Sequence, residues 1–425
     1  MFFGLLGLLF IKSGLTDKKV FIILPTLQLF SLISKETALL FIFIQAVYTS
    51  LFQRKYFVKQ LLISMVVALI YFGWRYLNFG SITTHKFLVV VPNSPVASSF
   101  EERLINVPSV IFFYIKTFLF PKDLAVSQLW WNKTIELNNF YIPLIICFLA
   151  LSILVSIGVY IYKIRPKDFK LYLLFCLWIL SGIGLHSQII PLDWTVAERW
   201  FYFTIIGFLG LTGVVLKGIE VRKENYKILI YSVGIAIIVI LSTRTIIRNA
   251  NWHDQLTLTD HDIKISKNSG DLELNYGIAL MEAGNYSDAI IHLTRASQLI
   301  PTGYTIWHSL GATYANAKNY DAAINNFNKA IEINPNYLQP YADISRVYLL
   351  DLKALEAKQY LENKALKKWP DEEYLWRLLG IANLILKENE SALRAFEKAY
   401  FISPNEQNTY YYFQLKDGKE VQIRM

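Results

Sequence analysis

The chain predicts an all-α protein in two parts, a helical domain that crosses a membrane about eight times and then a solenoid of paired helices. Three observations predict it. Long apolar runs joined by short basic loops fill residues 1–243. Prolines recur at Pro301, Pro335, Pro370 and Pro404, at spacings of 34, 35 and 34 residues. The 425 residues are 54% hydrophobic and 15% aromatic, too apolar for an ordinary soluble enzyme of this length.

The apolar runs lie at roughly 1–12, 20–34, 37–53, 60–78, 141–162, 171–190, 199–216 and 226–242. A span needs about 20 apolar residues. The first run is short, and Met1–Phe10 has no basic start and no cleavage site, so it reads as part of a span and not as a signal peptide. The net charge of +9 resides largely in loops. Lys12, Lys18 and Lys19 form one basic loop, and Arg54, Lys55 and Lys59 a second. Lys163, Arg165, Lys167 and Lys170 form a third, and Lys217, Arg222, Lys223 and Lys227 a fourth. Positive loops stay cytoplasmic. The turn at Lys35–Glu36, the segment 79–140 and the turn at Pro191–Arg199 then face outward.

This parity requires that 105–120, which carries Pro108 and Lys116, lie in the interface or re-enter without crossing. The last span therefore exits outward, and the solenoid is extracytoplasmic at what is expected to be a plasma membrane. No basic run interleaves with aromatics on a soluble surface, so the charge argues for orientation in a lipid bilayer and against a nucleic-acid partner.

A linker at 244–268 carries Arg244, Arg248, Trp252 and His253, with Trp252 expected to anchor at the interface or to cap the first repeat. The repeats follow at 269–302, 303–336, 337–370 and 371–404, and 405–425 forms a cap or tail through Tyr410, Tyr411 and Tyr412. In the second unit Trp307, Leu310, Gly311, Tyr314, Ala323, Phe327, Ala330 and Pro335 match the tetratricopeptide (TPR) pattern position for position. The first unit keeps Gly277, Ala289, Ala296 and Pro301, and the fourth Trp376, Gly380, Ala392, Phe396, Ala399 and Pro404. The third is worn and one residue longer. These residues are packing. Ligand contacts on the concave face are expected from first-helix positions such as Asn275, His308, Asn316 and Arg346.

Chemistry is expected where ionisable groups meet the membrane boundary. Lys35 with Glu36, in Ser34-Lys35-Glu36-Thr37, could grip a lipid phosphate, or form a plain polar hairpin tip with a local ion pair. Arg199 offers a planar fork for phosphate or carboxylate, with Glu198 and Asp193 as partners or acids. The same segment also reads as a Glu–Arg pair between interfacial tryptophans. Arg75 is a third, weaker case, and His186 reads as a satisfied polar residue between helices. In the outer loop, Trp130 and Trp131 near Lys122 and Asp123 suit a sugar, a headgroup or simple anchoring. Cys147 and Cys176 both sit in apolar runs and are not expected to pair. No residues have metal-ligand spacing, so no metal and no resident cofactor is expected in the chain, and no Gly-rich phosphate loop or nucleophile elbow occurs in the membrane half.

Several of these segments resemble a known family. SKETALLF, RLINVPSVIFFYIKTFLFPKDL, VAERWFYFTIIGF and RNANWHDQLTL are similar, in that order, to segments of the transmembrane-and-TPR-containing proteins. That family is related to the C-type, polyprenyl-phosphate-dependent glycosyltransferases, which include protein O-mannosyltransferases. The resemblance runs from about Val20 to Pro404. It implies a polyprenyl-phosphate sugar as donor, an acceptor protein on the outer side, and Lys35, Glu36, Glu198 and Arg199 as the residues that carry over. In the family the catalytic carboxylate comes from an acidic outer loop preceding this region. No acidic pair occurs before Asp17, so that loop is expected to be missing and the catalytic residue is unknown. Thr204 stands where the family has a proline.

The expected function is transfer of a hexose such as mannose from polyprenyl phosphate to a hydroxyl of an extracytoplasmic protein, with the repeats docking the acceptor or a partner protein. Two other readings remain open: a non-enzymatic membrane scaffold, and a ligase or polymerase of lipid-linked glycans.

Overall fold

A computed structural model describes residues 1–14, 16–79, 95, 97–192, 194–217 and 224–423. The chain separates into two compact units, Met1–Trp252 and His253–Met425. Asp193, Arg222 and Lys223 lie outside the described residues.

The first unit contains α1 (Phe2–Lys12), α2 (Leu24–Ser34), α3 (Leu39–Phe52), α4 (Phe57–Phe79), α5 (Phe100–Leu119), α6 (Ile142–Ile164), α7 (Pro166–His186), α8 (Phe201–Leu216) and α9 (Glu224–Ala250). Among the described residues, five helical segments are long and apolar enough to cross a membrane: Arg54–Asn78, Leu137–Ile164, Pro166–His186, Glu198–Leu216 and Ile228–Ala250. Three of the eight expected spans, Phe2–Lys12, Lys19–Ser34 and Glu36–Phe52, are shorter apolar helices. α5 is not among the five. It starts five residues before the expected 105, because Ser99 and Glu102 cap it reciprocally at 3.2 and 3.1 Å.

Small residues set the helix packing, as expected where lipid supplies no hydrophobic drive between helices. A Cβ at Gly207 would lie 2.8 Å from Ile179, and Gly182 and Gly210 meet Thr204 and Phe175 as closely. α7 and α8 are therefore in near-backbone contact, and the Trp178 indole donates to the Phe203 carbonyl at 2.9 Å. Phe41 of α3 meets Trp178 and Phe203 edge-on at 6.1 and 5.0 Å. This brings the start of α3 toward the end of α7 and the start of α8, where the candidate site forms.

A polar seam crosses this apolar unit. Gln28 donates to Gln45 and to Ser64, both at 2.9 Å, and Gln45 donates to the Gly4 carbonyl at 3.1 Å. Amide pairs of this kind tie membrane helices together at roughly 0.6–2 kcal/mol each.

The second unit runs α10 (Gln255–Ile265), α11 (Gly270–Glu282), α12 (Tyr286–Leu299), α13 (Tyr304–Asn316), α14 (Tyr320–Ile333), α15 (Gln339–Leu350), α16 (Ala354–Tyr360), α17 (Leu366–Lys368), α18 (Glu373–Ile385), α19 (Asn389–Ile402) and α20 (Glu406–Lys416). Each repeat is a helix pair in which a small residue faces a large one. A Cβ at Gly311 would lie 2.7 Å from the Phe327 ring, and Phe327 is fully buried. The closing prolines are tied to the next unit: Trp307, Tyr341 and Trp376 donate to the carbonyls of Pro301, Pro335 and Pro370 at 2.9, 3.1 and 2.8 Å.

The turn inside each pair uses one left-handed residue, at Gly284, Lys318, Leu352 and Lys387 in turn (φ +80°, +60°, +59° and +60°). The extra residue of the third repeat is absorbed as a π-helical turn, Leu361–Ala365, between α16 and α17. Tyr411 of α20 stacks on Phe396 at 4.8 Å and closes the last apolar face.

The stretch 244–268, read as a linker, is helical over most of its length. It holds the end of α9 and all of α10. The arginines of α9 find partners within the first unit, and Asp254 caps α10 by accepting from the Thr257 amide at 2.7 Å.

Candidate functional site

The site is built from the bottom of three elements. The α2–α3 turn reverses at Lys35, which is extended at φ −171°, and a short 3-10 turn at Glu36–Ala38 leads into α3. Lys35 is exposed, and among the described residues its side chain makes no hydrogen bond or ion pair. Glu36 does not stay with its neighbour. Its carboxylate takes the guanidinium of Arg75 from the end of α4, and Tyr71 also accepts from Arg75 at 3.3 Å. The local-pair reading of this turn is thus replaced by a cross-helix pair. The α2–α4 packing leaves Arg75 only 13% exposed, while Glu36 stays 45% exposed.

The second element is the segment 187–200, pinned by hydrogen bonds rather than by regular structure. Gln188, at φ +70°, donates from its amide to the carbonyls of Trp194 and Thr195 at 2.7 and 2.8 Å and accepts from the Leu192 amide at 3.0 Å. Val196 bridges to Gln128, in the segment between α5 and α6, in antiparallel fashion. Thr195 accepts from the Trp130 amide at 3.1 Å and donates to the Trp130 carbonyl. Trp130 therefore sits in the wall of the site and packs on Phe113 of α5. Trp131 is only partly buried.

This scaffold sets Glu198-Arg199-Trp200 in a 3-10 turn at the start of α8. Glu198 accepts from Arg248 of α9 at 3.5 Å, and Arg248 also lies over the Trp252 ring at 5.7 Å. Arg199 is exposed. Its guanidinium lies over the Trp194 ring at 4.6 Å and reaches the Val126 carbonyl at 3.5 Å. Behind it, Tyr114 of α5 is stacked on Phe201 at 5.5 Å. Burial pushes the Tyr114 phenol up from its ordinary value, and the nearby Arg199 charge opposes part of that shift.

His186 ends α7 against the Glu198–Trp200 turn. It is 5% exposed, stacks on Trp200 at 5.4 Å, and donates from Nδ1 to the Gly182 carbonyl at 2.8 Å. That bond leaves Nε2 as an acceptor. The sequence reading of His186 as a satisfied residue between helices describes its Nδ1 well, yet misses its stacking on Trp200. Arg248 was read only as part of a linker. Its signal was weak, since an arginine six residues past an apolar run looks like ordinary flanking charge.

Of the repeat positions, Asn275 and Asn316 are exposed on α11 and α13. His308 and Arg346 come together on Asp343, at 2.8 and 3.2 Å, and the Tyr337 hydroxyl donates to the other ring nitrogen of His308 at 3.2 Å.

Comparison with known proteins agrees with both units. The tetratricopeptide repeat family matches residues 304–337 and, in a second form, 353–406. The chain is 26% identical to "Protein O-mannosyl-transferase TMTC3" of Homo sapiens over 285 residues, covering 63% of this chain and 30% of that protein. It is 21% identical to "Protein O-mannosyl-transferase Tmtc3" of Drosophila melanogaster over 322 residues, covering 71% of this chain and 34% of that one. The chain thus spans about a third of the length of these curated relatives. Among solved structures, "Crystal structure of MamA" is 22% identical with a TM-score of 0.33, covering 36% of this chain and 90% of that one. The chain is a membrane protein with tetratricopeptide repeats, and a relative of the protein O-mannosyl-transferases.

Proposed function

We propose that the protein serves protein O-glycosylation, transferring a sugar, mannose by likeness, from a polyprenyl phosphate to a hydroxyl on an extracytoplasmic protein. The observation that carries this is the sequence likeness to protein O-mannosyl-transferases over 63% of the chain. The geometry supports it through two exposed cations, Lys35 at the α2–α3 turn and Arg199 at the start of α8. Cations at an apolar boundary suit a lipid phosphate, Arg199 by its fork and Lys35 as a point charge. Glu36 and Glu198 are held by Arg75 and Arg248, and so act by positioning the two turns. The repeats dock the acceptor or a partner protein, through the face that carries Asn275, His308, Asn316 and Arg346. No catalytic base is assigned.

One observation favours a second reading, a membrane scaffold that recruits partners through its repeats. Both carboxylates at the site are engaged by arginines from other helices. A transfer assay separates the two. In membranes expressing the natural full-length gene product, radiolabelled polyprenyl-phosphate mannose should label acid-precipitable protein. Lys35→Ala with Arg199→Ala should reduce labelling at least tenfold at equal protein level. Undiminished labelling removes the phosphate clamp, and no labelling by the unaltered protein favours the scaffold. Protease added to sealed cells should digest the repeats, and their protection would place them on the cytoplasmic side.

A further inference from the structure

α6 and α7 enclose a lipid-facing groove of about 480 Å³ that the transfer site does not use. Its walls run from Leu151 to Tyr162 on α6 and from Phe169 to Leu180 on α7. Eleven residues of helix rise about 16 Å, close to half of a hydrocarbon core of about 30 Å. The groove therefore has the depth of one leaflet. Gly158 allows it, because a Cβ there would lie 2.9 Å from the Tyr172 ring. Its polar lining is internally satisfied at Tyr172, whose hydroxyl donates to the Leu154 carbonyl. A dry apolar slot of this kind takes an apolar ligand and not water.

The mouth of the groove, between Tyr162 and Phe169, opens on the basic loop 163–170. Asp168 in that loop is taken by Lys217 at 2.7 Å and Arg165 at 3.5 Å, and Lys170 donates to the Leu51 carbonyl at 3.0 Å. Lys163 and Lys167 are exposed and have no ion-pair partner among the described residues. A one-leaflet apolar slot ending at two uncompensated ammonium groups is complementary to a single molecule: an acyl chain joined to an anionic headgroup.

We propose that this groove is a binding site for an anionic glycerophospholipid of the leaflet facing the 163–170 loop. One acyl chain lies between α6 and α7, and the phosphate lies against Lys163 and Lys167. The site is independent of the transfer reading, which concerns the opposite ends of these helices.

The test is native mass spectrometry of the full-length protein, delipidated in detergent and titrated with phosphatidylglycerol, with phosphatidylcholine of the same chains, or with polyprenyl phosphate. We expect phosphatidylglycerol to be retained roughly tenfold better than phosphatidylcholine, as two juxtamembrane lysines allow. Lys163→Glu with Lys167→Glu should abolish that preference. Val159→Trp, at a lipid-exposed lining position, should fill the groove and remove the adduct, and Val155→Trp serves if that variant does not fold. Equal retention of the two phospholipids, an adduct that survives the tryptophan, or preferential capture of polyprenyl phosphate would each overturn the assignment.

Discussion

Glu198 and Arg248 stand 50 residues apart in the chain, and their side chains meet at 3.5 Å, with the Arg248 side chain only 7% exposed. The pair ties the start of α8 to the end of α9, and so fixes the turn that presents Arg199. Removing one partner leaves a charge in a place that solvent reaches poorly. Arg248→Ala and Glu198→Ala should each lower the thermal midpoint of the detergent-solubilised protein. The double variant should lose less than the two singles combined, with a coupling of roughly 0.5–3 kcal/mol. Strictly additive losses would show that the pair carries no structural load.

Leu352 occupies the left-handed turn position that Gly284 fills in the first repeat, at φ +59° and 88% exposed. A side chain there costs about 1–2 kcal/mol and contributes no packing in return. Leu352→Gly should therefore stabilise the unit His253–Met425, by about 1 kcal/mol in urea unfolding, and Gly284→Ala should destabilise it by a similar amount. A destabilised Leu352→Gly variant would contradict the turn geometry.

Gly311 faces the ring of Phe327, with the Ala323 carbonyl 3.1 Å from where its Cβ would be. The carbonyl is backbone and cannot move aside. Gly311→Val should cost about 1–3 kcal/mol by overpacking, and Phe327→Ala about 3–5 kcal/mol by opening a cavity. Circular dichroism melts of the same unit measure both. Gly311→Val with an unchanged melt would mean that α13 and α14 are not in close contact.

Asp254 has its carboxyl held down to about 2 from an ordinary 3.8, first by the Thr257 amide and then by His253. A depressed folded value means that the stabilising contribution is complete above about pH 4 and is lost as pH falls toward 2. Asp254→Ala should lower the melting temperature of the repeat unit by roughly 2–4 °C at pH 7. The difference from the unaltered protein should shrink as pH falls below 4. A difference that holds constant down to pH 2 would exclude a charged cap.

Much of this architecture is legible in local sequence, because its signals are local. Apolar runs, basic loops, the proline period and the Gly311–Phe327 spacing each act within one helix or one hairpin. Even the extra residue in the third repeat is visible as a longer proline gap, and its placement as the Leu361–Ala365 π turn follows from keeping both flanking faces in register. The ion pairs of the site were not legible in this way. Lys35–Glu36 and Glu198–Arg199 read as adjacent pairs, whereas the structure gives Glu36 to Arg75 and Glu198 to Arg248.

The sequence by itself determined the all-α class, the apolar and repeat halves, the register of the repeats and the two motifs with their exposed cations. Tertiary structure alone decided which acid meets which arginine, that His186 stacks on Trp200, and that α6 and α7 leave a groove one leaflet deep. The reason is physical. Periodicity and charge patterning are encoded by near neighbours, but a partner 39 or 50 residues away is chosen only when Gly182, Gly207 and Gly210 let α7 and α8 close on each other and the remaining helices take the places that are left.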